Sequence, residues 1–422
     1  MNKQELIEEL RLENPWWKGE DVPLPDKVVE RDIQDDLFDE LEKEEISAMI
    51  GLRRTGKTTL LRLIINKLLD EMESERICYF SFDLAEEVDI RTLIKTFSEE
   101  ILEEPYSSFE EKVYFFFDEI QKVDDWGNHL KSFQDKDLDM KFVITGSSSM
   151  NITKGAGESL VGRIDISKLD PFSFKEYLRY EQVDVPKVDI DALSYPEDAS
   201  LHRIKFKKYM GKGGFPEIYE EDSKEYLKQI LDLIFFRDIV EIFTVKRTDV
   251  LKGIFREISA RSGQKLNYSN LSNDLDTQYR TVKDYLQYLE DSFLIEKSLP
   301  WEDDHIKSLR KNPKMYVSDH SFANLWKADE GLKAETIAFN HLKKIERPRF
   351  NREPEVDIVL PENRKAFEVK YSSNLDERDA KNLLKMAKEF QLFLVTEDIY
   401  DEWRIDGRIV SVVPLWLLCL CC

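Results

Sequence analysis

Two glycines, a lysine and a threonine stand at fixed spacing early in the chain. A short apolar stretch, Ile-Ser-Ala-Met-Ile, runs into the pattern G-x-x-x-x-G-K-T at residues 51–58. In this pattern the glycines let backbone N–H groups turn toward an anion, the lysine reaches phosphate oxygens, and the threonine hydroxyl is a ligand for Mg²⁺. The spacing therefore predicts a site for ATP and Mg²⁺ between a strand and a helix. The residues expected to form it are Gly51, Arg54, Thr55, Gly56, Lys57, Thr58 and Thr59.

A pair of carboxylates follows another strongly apolar run. Residues 112–120 read Lys-Val-Tyr-Phe-Phe-Phe-Asp-Glu-Ile, and such a run is typical of a strand buried on both faces of a parallel sheet. It ends in Asp118 and Glu119, at the carboxyl edge where α/β sheets bind their ligands. We expect Asp118 to hold Mg²⁺ through a water molecule and Thr58 to ligate the ion directly. Glu119 would orient and deprotonate the water that attacks the γ-phosphate.

Hydroxyl groups and an arginine complete the predicted hydrolytic set. Residues 141–149 read Lys-Phe-Val-Ile-Thr-Gly-Ser-Ser-Ser, a third buried strand with polar residues at its end. Thr145 and Ser147 are candidates for sensing the γ-phosphate or the attacking water, or else are satisfied loop hydroxyls. Arg163 precedes another predicted strand. It would stabilise charge on the transferred phosphoryl group, in its own subunit or a neighbouring one, or else is a surface arginine in a salt bridge.

A second set of polar residues lies toward the end of the chain. Glu335 opens a predicted helix, Asp357 lies in a strand reading Glu-Val-Asp-Ile-Val-Leu, and Glu368 and Lys370 lie in a strand reading Lys-Ala-Phe-Glu-Val-Lys. Side chains alternate along a strand, so Glu368 and Lys370 share a face that Asp357 can reach from an adjacent strand. Carboxylates beside a lysine suit a Mg²⁺ site with a cation to steady a water. The alternative is a set of cross-strand salt bridges on a solvated face.

Between the two sets the apolar spacing is helical. Residues 223–244 follow a helical period, and residues 248–298 read as a short helix, a turn, a second amphipathic helix and a strand. This order is typical of a winged helix-turn-helix. A DNA-reading version would present Gln278, Arg280 and Lys283 to a groove or its phosphates. The alternative is a packing module that transmits the nucleotide state, which the acidic residues on and beside that helix favour.

Composition restricts the classes of function. The chain has 422 residues and a formal net charge of −23, which argues against indiscriminate coating of nucleic acid but allows a local basic face. The start lacks a signal-peptide pattern and no apolar run reaches membrane-spanning length, so we expect a cytoplasmic protein without a membrane span. Three of its four cysteines are Cys419, Cys421 and Cys422. We expect the C-terminal segment that contains them, residues 412–422, to be a buried strand, with lipidation or a metal site as alternatives.

Four motifs together resemble the AAA-type archaeal/bacterial ATPase family of P-loop NTPases, which is similar to the STAND and AAA+ branches. They are Gly-Leu-Arg-Arg-Thr-Gly-Lys-Thr-Thr, Phe-Phe-Asp-Glu-Ile-Gln with Trp126 after it, Ile-Thr-Gly-Ser-Ser-Ser, and Gly-Arg followed by Leu-Asp-Pro-Phe-Ser-Phe-Lys-Glu-Tyr. Family members commonly carry a C-terminal DUF4143 region, whose start resembles residues 213–217 and 236–239. The order of Glu335, Asp357, Glu368 and Lys370 is similar to the PD-(D/E)xK nuclease core, with Glu335 as the helical glutamate.

We therefore predict an α/β protein with a P-loop NTPase parallel-sheet core, a helical and winged-helix segment, and a small restriction-endonuclease-like α/β domain. The predicted divisions are an N-terminal extension (1–25), an ATPase domain (26–180), a helical linker (181–247), a winged helix (248–305) and a nuclease-like domain (306–422). The predicted function is ATP hydrolysis that switches the downstream domains, with DNA or RNA and a second copy of the chain as candidate partners. The alternatives are an ATP-gated, Mg²⁺-dependent nuclease and a nucleotide-dependent scaffold with very slow turnover.

Overall fold

The chain folds into two compact units, Met1–Asp170 and Pro171–Cys422. The computed structural model describes residues 1–83, 88–136, 138–147, 160–191, 195–196, 198–220, 223–240, 242–302, 308 and 311–422. The division falls inside the predicted ATPase domain, because the helix Phe174–Tyr180 packs its aromatic side chains into the core of the second unit. None of the predicted boundaries, after residues 25, 180, 247 and 305, coincides with it.

The first unit alternates strands with helices. In its described part the strands are β1 (Ile46–Ile50), β2 (Ile77–Ser81), β3 (Val113–Asp118), β4 (Met140–Gly146) and β5 (Ile164–Lys168). The α-helices are α1 (Lys3–Glu13), α2 (Gln34–Asp39), α3 (Lys57–Leu68), α4 (Ile90–Glu100) and α5 (Trp126–Gln134). Short 3₁₀ turns occupy Pro15–Lys18, Glu40–Glu42, Ser74–Arg76 and Ile120–Lys122.

Among the described residues, the strands of the first unit form one parallel sheet in the order β2-β3-β4-β1-β5. This confirms the predicted α/β class and parallel-sheet core. Every residue of β1 and β3 is buried, as a strand covered on both faces requires. Because the strands are parallel, their carboxyl ends share one edge, where Ile50 pairs with Gly146 and Ser81 pairs with Asp118. The segment after β1 and the acidic end of β3 therefore leave the sheet on the same side.

The predicted N-terminal extension is part of the first unit. Helix α1 and the turn after it lie along β2, which is an outer strand of the sheet. The buried side chain of Asn14 donates to the carbonyl oxygen of Tyr79 at 2.8 Å and accepts from its backbone N–H at 2.7 Å. The indole N–H of Trp16 donates to the carbonyl oxygen of Ile77 at 3.2 Å. These bonds fix the start of the chain to the sheet.

The second unit combines helices with a mixed sheet. Its described strands are β6 (Ile295–Ser298), β7 (Lys314–Val317), β8 (Arg349–Arg352), β9 (Glu355–Leu360), β10 (Lys365–Val369), β11 (Gln391–Thr396), β12 (Asp401–Ile405) and β13 (Arg408–Pro414). Its α-helices are α6 (Phe174–Tyr180), α7 (Ala199–Lys212), α8 (Ser223–Leu233), α9 (Thr248–Ala260), α10 (Tyr268–Asp274), α11 (Tyr279–Asp291), α12 (His320–Leu325), α13 (Glu330–Leu342) and α14 (Leu415–Leu420). A π-helical segment, Ile234–Val240, follows α8, and 3₁₀ turns occupy Pro216–Tyr219, Glu377–Ala380 and Leu383–Lys385.

Strands β8 to β13 form a sheet in the order β12-β13-β11-β10-β9-β8 in the described part of the chain. Strands β10, β11 and β13 are parallel to one another, whereas β8, β9 and β12 pair antiparallel with their neighbours. Helix α13 packs against β10 on one face and contributes Ile337, Ala338 and Phe339 to the core. The opposite face is covered by the short turns Glu377–Ala380 and Leu383–Lys385.

Helices α9, α10 and α11 are followed by the antiparallel pair β6 and β7. The order α10, turn, α11 and β6 agrees with the short helix, turn, second amphipathic helix and strand that the sequence predicted, whereas α9 precedes this series and β7 follows it from beyond the predicted boundary. Helix α11 buries Val282, Leu286 and Leu289 and leaves its polar face exposed. The helical spacing of the sequence therefore identified the packing face of this helix.

The predicted terminal strand is corrected by the structure. Strand β13 ends at Pro414, and the following residues form α14, every residue of which is buried. The ring of Pro414 fixes its φ near −65° and provides a start for a helix. Cys419 is fully buried, and no group of metal ligands occurs among the described residues. The burial of this thiol argues against its lipidation.

Candidate active site

The P-loop, residues 51–58, leaves β1 and enters α3. Gly51 is required because a Cβ atom there would lie 2.3 Å from the carbonyl oxygen of Leu169. Gly56 has a φ of 95°, in the left-handed region that favours glycine, and it is the N-cap of α3. The two glycines therefore have different tasks, one allowing a close approach and the other a turn. The amino end of α3, whose dipole favours an anion, follows directly.

Lys57 lies inside this loop. Its Nζ donates to the carbonyl oxygens of Gly51 at 3.0 Å and Leu52 at 2.9 Å. The Thr55 hydroxyl donates to the same Leu52 oxygen at 2.9 Å, which closes the loop on itself. Of the other predicted loop residues, Arg54 is exposed and Thr59 is half-buried in the first turn of α3.

Asp118 lies at the end of β3 among hydroxyl groups. Its Oδ2 accepts from Thr58 Oγ1 at 2.6 Å and from the hydroxyl of Tyr79 at 3.1 Å, and its Oδ1 accepts from Thr145 Oγ1. The structure thus brings together Thr58 and Asp118, which the motif spacing assigned to Mg²⁺. A hydroxyl and a carboxylate in contact are oxygen donors of the kind Mg²⁺ prefers, so this pair fits the ion. Sequence reasoning missed Tyr79, which only the pairing of β2 with β3 brings here.

Glu119 is the first residue beyond β3. It is half-buried, its φ is 53°, and its backbone N–H donates to Thr145 Oγ1 at 3.0 Å. The amide of Gln121 donates to the Glu119 carboxylate and also to Ser147 Oγ at 3.2 Å. Ser147 is therefore linked to Glu119 through Gln121, a residue of the quoted motif that the sequence did not single out. Ser148 and Ser149 of the predicted polar turn lie outside the described residues.

Burial raises pKa values beside this site. The pKa of Glu13 is raised to about 8, chiefly by burial and further by the carboxylates of Glu9 and Asp118, although its bond from the Ser81 N–H acts in the opposite direction. The pKa of the Tyr79 hydroxyl is raised well above its ordinary value, first by burial and then by Asp118. The Tyr79 hydroxyl therefore stays protonated and donates a hydrogen bond to Asp118.

Arg31 is a further residue at the P-loop that sequence reasoning missed. Its guanidinium is buried and donates to the carbonyl oxygen of Thr55 at 2.7 Å and to that of Asp170 at 2.6 Å. A Cβ added to Gly56 would lie 3.7 Å from Arg31 Nη1, so the guanidinium lies directly against the loop. These contacts join residues far apart in the chain, and no local sequence pattern predicts them.

The structure does not bring Arg163 to this site. Its carbonyl oxygen accepts from the N–H of Ile46, the first residue of β1, at 2.8 Å, so Arg163 lies at the amino edge of the sheet. A five-residue strand spans roughly 16 Å, and the P-loop is at its other end. The side chain pairs with Asp135, as the salt-bridge alternative expected. The structure therefore gives no support to the prediction that Arg163 acts in its own subunit, because a parallel strand that starts after Arg163 begins at the edge opposite the P-loop.

The second predicted set meets in the second unit, with an additional lysine. Lys314, the first residue of β7, donates to Glu335 Oε1 at 2.7 Å and to Asp357 Oδ1 at 3.0 Å. Lys370 Nζ lies 2.8 Å from Glu368 Oε1. Phe367 pairs with Ile358 in the antiparallel register, which makes Asp357 and Glu368 the next opposed positions. The four predicted residues therefore lie together, and Lys314 is the member that the sequence did not reveal.

The charges of this cluster perturb one another. Burial, followed by the charge of Asp357, raises the pKa values of Glu335 and Glu368 to about 7. Burial alone would lower the pKa of Lys314, but the carboxylates of Glu335 and Asp357 raise it above its ordinary value. Lys314 is therefore a permanent cation of the cluster.

The residues proposed to read DNA lie at the start of α11. Gln278, Arg280 and Lys283 are all exposed. Arg280 Nε lies 3.9 Å from Asp284 on the same helix, and Asp274 and Asp276 are exposed just before it. The face is thus accessible and of mixed charge.

Two family profiles match the chain. Residues 43–178 match one described as AAA domain, and residues 203–332 match a domain of unknown function, DUF8612. The second match is DUF8612 and not the DUF4143 that the resemblance implied. An uncharacterized protein of Haemophilus influenzae is 30% identical over 397 residues, which cover 88% of this chain and 94% of that protein. The chain belongs to this family of AAA-domain proteins.

Other similarities to this AAA-domain protein are more distant. An uncharacterized protein of Methanocaldococcus jannaschii is 28% identical over 456 residues, covering 99% of this chain and 95% of that protein. The solved Aeropyrum pernix ORC1 protein in complex with DNA is 11% identical with a TM-score of 0.29, covering 76% of this chain and 95% of that one. AMPPCP-bound DnaA from Aquifex aeolicus is 17% identical with a TM-score of 0.28, covering 61% and 86%. Neither superposition is close enough to carry an argument.

Among the residues that the structure describes, no helix is both long enough and apolar enough to span a membrane.

Proposed function

We propose that this protein binds ATP with Mg²⁺ at the carboxyl edge of the five-stranded sheet and hydrolyses it to ADP and phosphate. The observation that carries the proposal is the 2.6 Å contact between Thr58 Oγ1 and Asp118 Oδ2. Thr58 belongs to the P-loop and Asp118 to a strand end, and their contact supports the proposal that one ion uses both oxygen donors. Mg²⁺ bound there would neutralise charge on the phosphates.

The remaining residues of the site have separable tasks in this proposal. Lys57 binds the β- and γ-phosphate oxygens, for which its ammonium group must leave the carbonyl oxygens of Gly51 and Leu52. Glu119 accepts a proton from the attacking water, and the Gln121 amide holds its carboxylate. Thr145 fixes the backbone of Glu119 and the carboxylate of Asp118 at once.

Charge stabilisation by an arginine is proposed to come from a second copy of the chain. Arg163 lies at the amino edge of its own sheet and is 40% exposed, so a neighbouring subunit can reach it. In phosphoryl transfer an arginine supplied in trans can stabilise the charge on the transferred phosphoryl group. Its partner Asp135 would have to release it first, which makes a homo-oligomer part of this proposal.

The proposed role of turnover is to switch the second unit. Gly51 at the start of the P-loop packs against the carbonyl oxygen of Leu169, and Arg31 joins Thr55 of the loop to Asp170, the last residue of the first unit. A change in the loop on nucleotide binding therefore acts on the segment by which the chain leaves the first unit. These contacts support a switch over a nucleotide-held scaffold that turns over very slowly.

Nucleic acid is the second candidate partner. The exposed start of α11, with Gln278, Arg280 and Lys283, supports a winged helix that contacts DNA or RNA, although the neighbouring aspartates weaken it. Stimulation of ATP turnover by one nucleic acid, and its loss in Arg280→Ala, would support this role. A DNA- or RNA-processing nuclease is the less favoured alternative, because the second-unit cluster contains Lys314.

The experiment that tests the proposal is phosphate release by the wild type, Lys57→Ala and Glu119→Gln, with ATP binding measured on the same samples. We expect Lys57→Ala to lose binding, and Glu119→Gln to bind ATP without releasing phosphate. Lys18→Ala and Glu110→Gln change exposed residues of the same unit and serve as matched controls. Turnover that survives in both site variants would contradict the proposal. A wild type that binds ATP without turnover would favour the scaffold.

A further inference from the structure

The residues predicted for a nuclease metal site do not fit a metal ion. Glu335 and Asp357 each direct a carboxylate oxygen at the ammonium group of Lys314, at 2.7 Å and 3.0 Å. The Lys314 side chain is only 6% exposed. Among the described residues no group of three or more acidic, histidine or cysteine side chains is arranged to hold an ion. The position between these two carboxylates therefore belongs to a cation of the chain itself.

Some of the other oxygens of the cluster are also engaged. Asp357 Oδ2 accepts from the backbone N–H of Val369 at 3.1 Å, and Glu368 Oε1 pairs with Lys370. Glu368 Oε2 is buried and has no hydrogen-bond partner among the described residues. Three carboxylates thus share two ammonium groups, and both bonds of Glu335 are made by its Oε1. The two oxygens that remain, Glu335 Oε2 and Glu368 Oε2, do not suffice for a divalent ion, which takes several oxygen ligands.

Lys314 is held firmly in this position. Glu335 Oε1 accepts a second bond, at 2.7 Å, from the hydroxyl of Tyr316, two residues along β7 from Lys314. The Tyr316 ring stacks on Phe339 of α13 at a centroid distance of 3.8 Å. A Cβ added to Gly263, at a φ of 88°, would lie 2.9 Å from the Glu335 carboxyl carbon. The Glu335 carboxylate is therefore confined on several sides, and two residues of β7, Lys314 and Tyr316, donate to it.

We infer that the ammonium group of Lys314 takes the place of a divalent cation in this cluster, so that the cluster is an ion-paired junction between β7, α13 and β9. The inference goes beyond the proposed ATPase, since it concerns residues of the second unit alone. It assigns the cluster a positioning role: one lysine holds the antiparallel pair β6 and β7 to the six-stranded sheet. The polar residues of a nuclease-like site are present, but the position of the metal is filled by a side chain.

The experiment measures Mn²⁺ binding by electron paramagnetic resonance on the full chain. All proteins carry Thr58→Ala and Asp118→Asn, which remove the predicted P-loop ligands for the ion. We expect this background to bind no Mn²⁺ at the cluster, and the added Lys314→Met to gain about one Mn²⁺ per chain. Adding Glu368→Gln to Lys314→Met should abolish the gain. Lys343→Met is the matched control, because the Lys343 side chain is only 9% exposed and is also paired, at 2.6 Å, with Glu296.

Two results would overturn the inference. One is Mn²⁺ bound by the background protein and lost on Glu368→Gln, which would show a metal site beside Lys314. The other is a folded Lys314→Met protein that gains no Mn²⁺. If Lys314→Met does not fold, the background protein alone decides, because bound Mn²⁺ that depends on Glu368 contradicts the inference and its absence supports it. Since the P-loop ligands are absent throughout, failure of the ATPase proposal leaves this measurement unaffected.

Discussion

Arg31 donates to the carbonyl oxygen of Thr55 at 2.7 Å, and this bond ties the segment before β1 to the P-loop. The same guanidinium donates to Asp170 at 2.6 Å. Both acceptors are main-chain oxygens, so Arg31 joins two backbone segments that lie far apart in the sequence. A buried guanidinium with two carbonyl partners is a rigid connection, because its planar fork fixes both directions at once.

Replacement of Arg31 by methionine should weaken the first unit. Two carbonyl groups lose their donor, and we expect the free energy of unfolding to fall by about 1–3 kcal/mol. ATP affinity should fall as well, since the loop loses its support. Urea unfolding and nucleotide titration check this, with Lys27→Met, at an exposed position, as the control. If the variant kept both its stability and its ATP affinity, the claim that Arg31 supports the P-loop would be contradicted.

Gln121→Ala should slow turnover without weakening ATP binding. The Gln121 amide holds the Glu119 carboxylate, and a misplaced base lowers the rate by about 10- to 100-fold. We expect kcat to fall with KM unchanged. In a Glu119→Asp background, whose shorter side chain withdraws the carboxylate from the Gln121 amide, the added Gln121→Ala should have little further effect on the remaining turnover. Gln287→Ala, in an exposed position of α11, is the control. An equal further loss in both backgrounds would show that Gln121 does not act through Glu119.

Gly51→Ala should prevent correct packing of the P-loop. The new methyl group would meet the Leu169 carbonyl oxygen at 2.3 Å, a distance that requires the backbone to move. We expect a lower Tm and loss of ATP binding. Gly211→Ala is the matched control, because a Cβ there contacts nothing within 4 Å and alanine is favoured in a helix by roughly 0.5–1 kcal/mol. A Gly51→Ala protein with the Tm of the wild type would contradict the close approach of Gly51 to the Leu169 carbonyl oxygen.

Stability should depend on pH through Glu13. Burial raises its pKa in the folded state from 4.5 to about 8, so the native state binds this proton more tightly than the unfolded chain does. The stabilisation is complete below pH 4.5 and is lost as the pH rises toward 8. We expect the wild type to lose stability over this range relative to Glu13→Gln, in urea unfolding at several pH values. Glu8→Gln, at an exposed position, should follow the wild type; parallel curves for the wild type and Glu13→Gln would exclude a titrating Glu13.

The parts of the fold that sequence predicted are those specified by neighbouring residues. The glycine spacing and the apolar run before Asp118 predicted β1, the P-loop and β3, because strand burial and loop curvature depend on local residue types. The sequence could not tell at which edge Arg163 would lie, since that depends on how β5 pairs with β1. The predicted terminal strand was a short apolar run, for which length and content do not separate a buried strand from a buried helix.

Contacts between residues far apart in the sequence complete both the P-loop site and the cluster around Lys314. Tyr79 reaches Asp118 from a neighbouring strand, and Arg31 reaches Thr55 and Asp170 from an irregular segment. Lys314 belongs to a strand that pairs with β6, yet its charge is used by residues of α13 and β9. A single lysine in a short strand gives no local signal of such a role, which only its contacts with residues distant in sequence reveal.

The hydrogen bonds along the outer strand β2 have a consequence for association. An edge strand ordinarily offers free N–H and C=O groups that can template pairing with another chain. Here the side chains of Asn14 and Trp16 bond the main chain of Tyr79 and Ile77, and Glu13 accepts from the N–H of Ser81 at 3.0 Å. These side chains substitute for a further strand. Sheet extension, by which edges recruit peptides or aggregate, is therefore blocked on this side of the first unit.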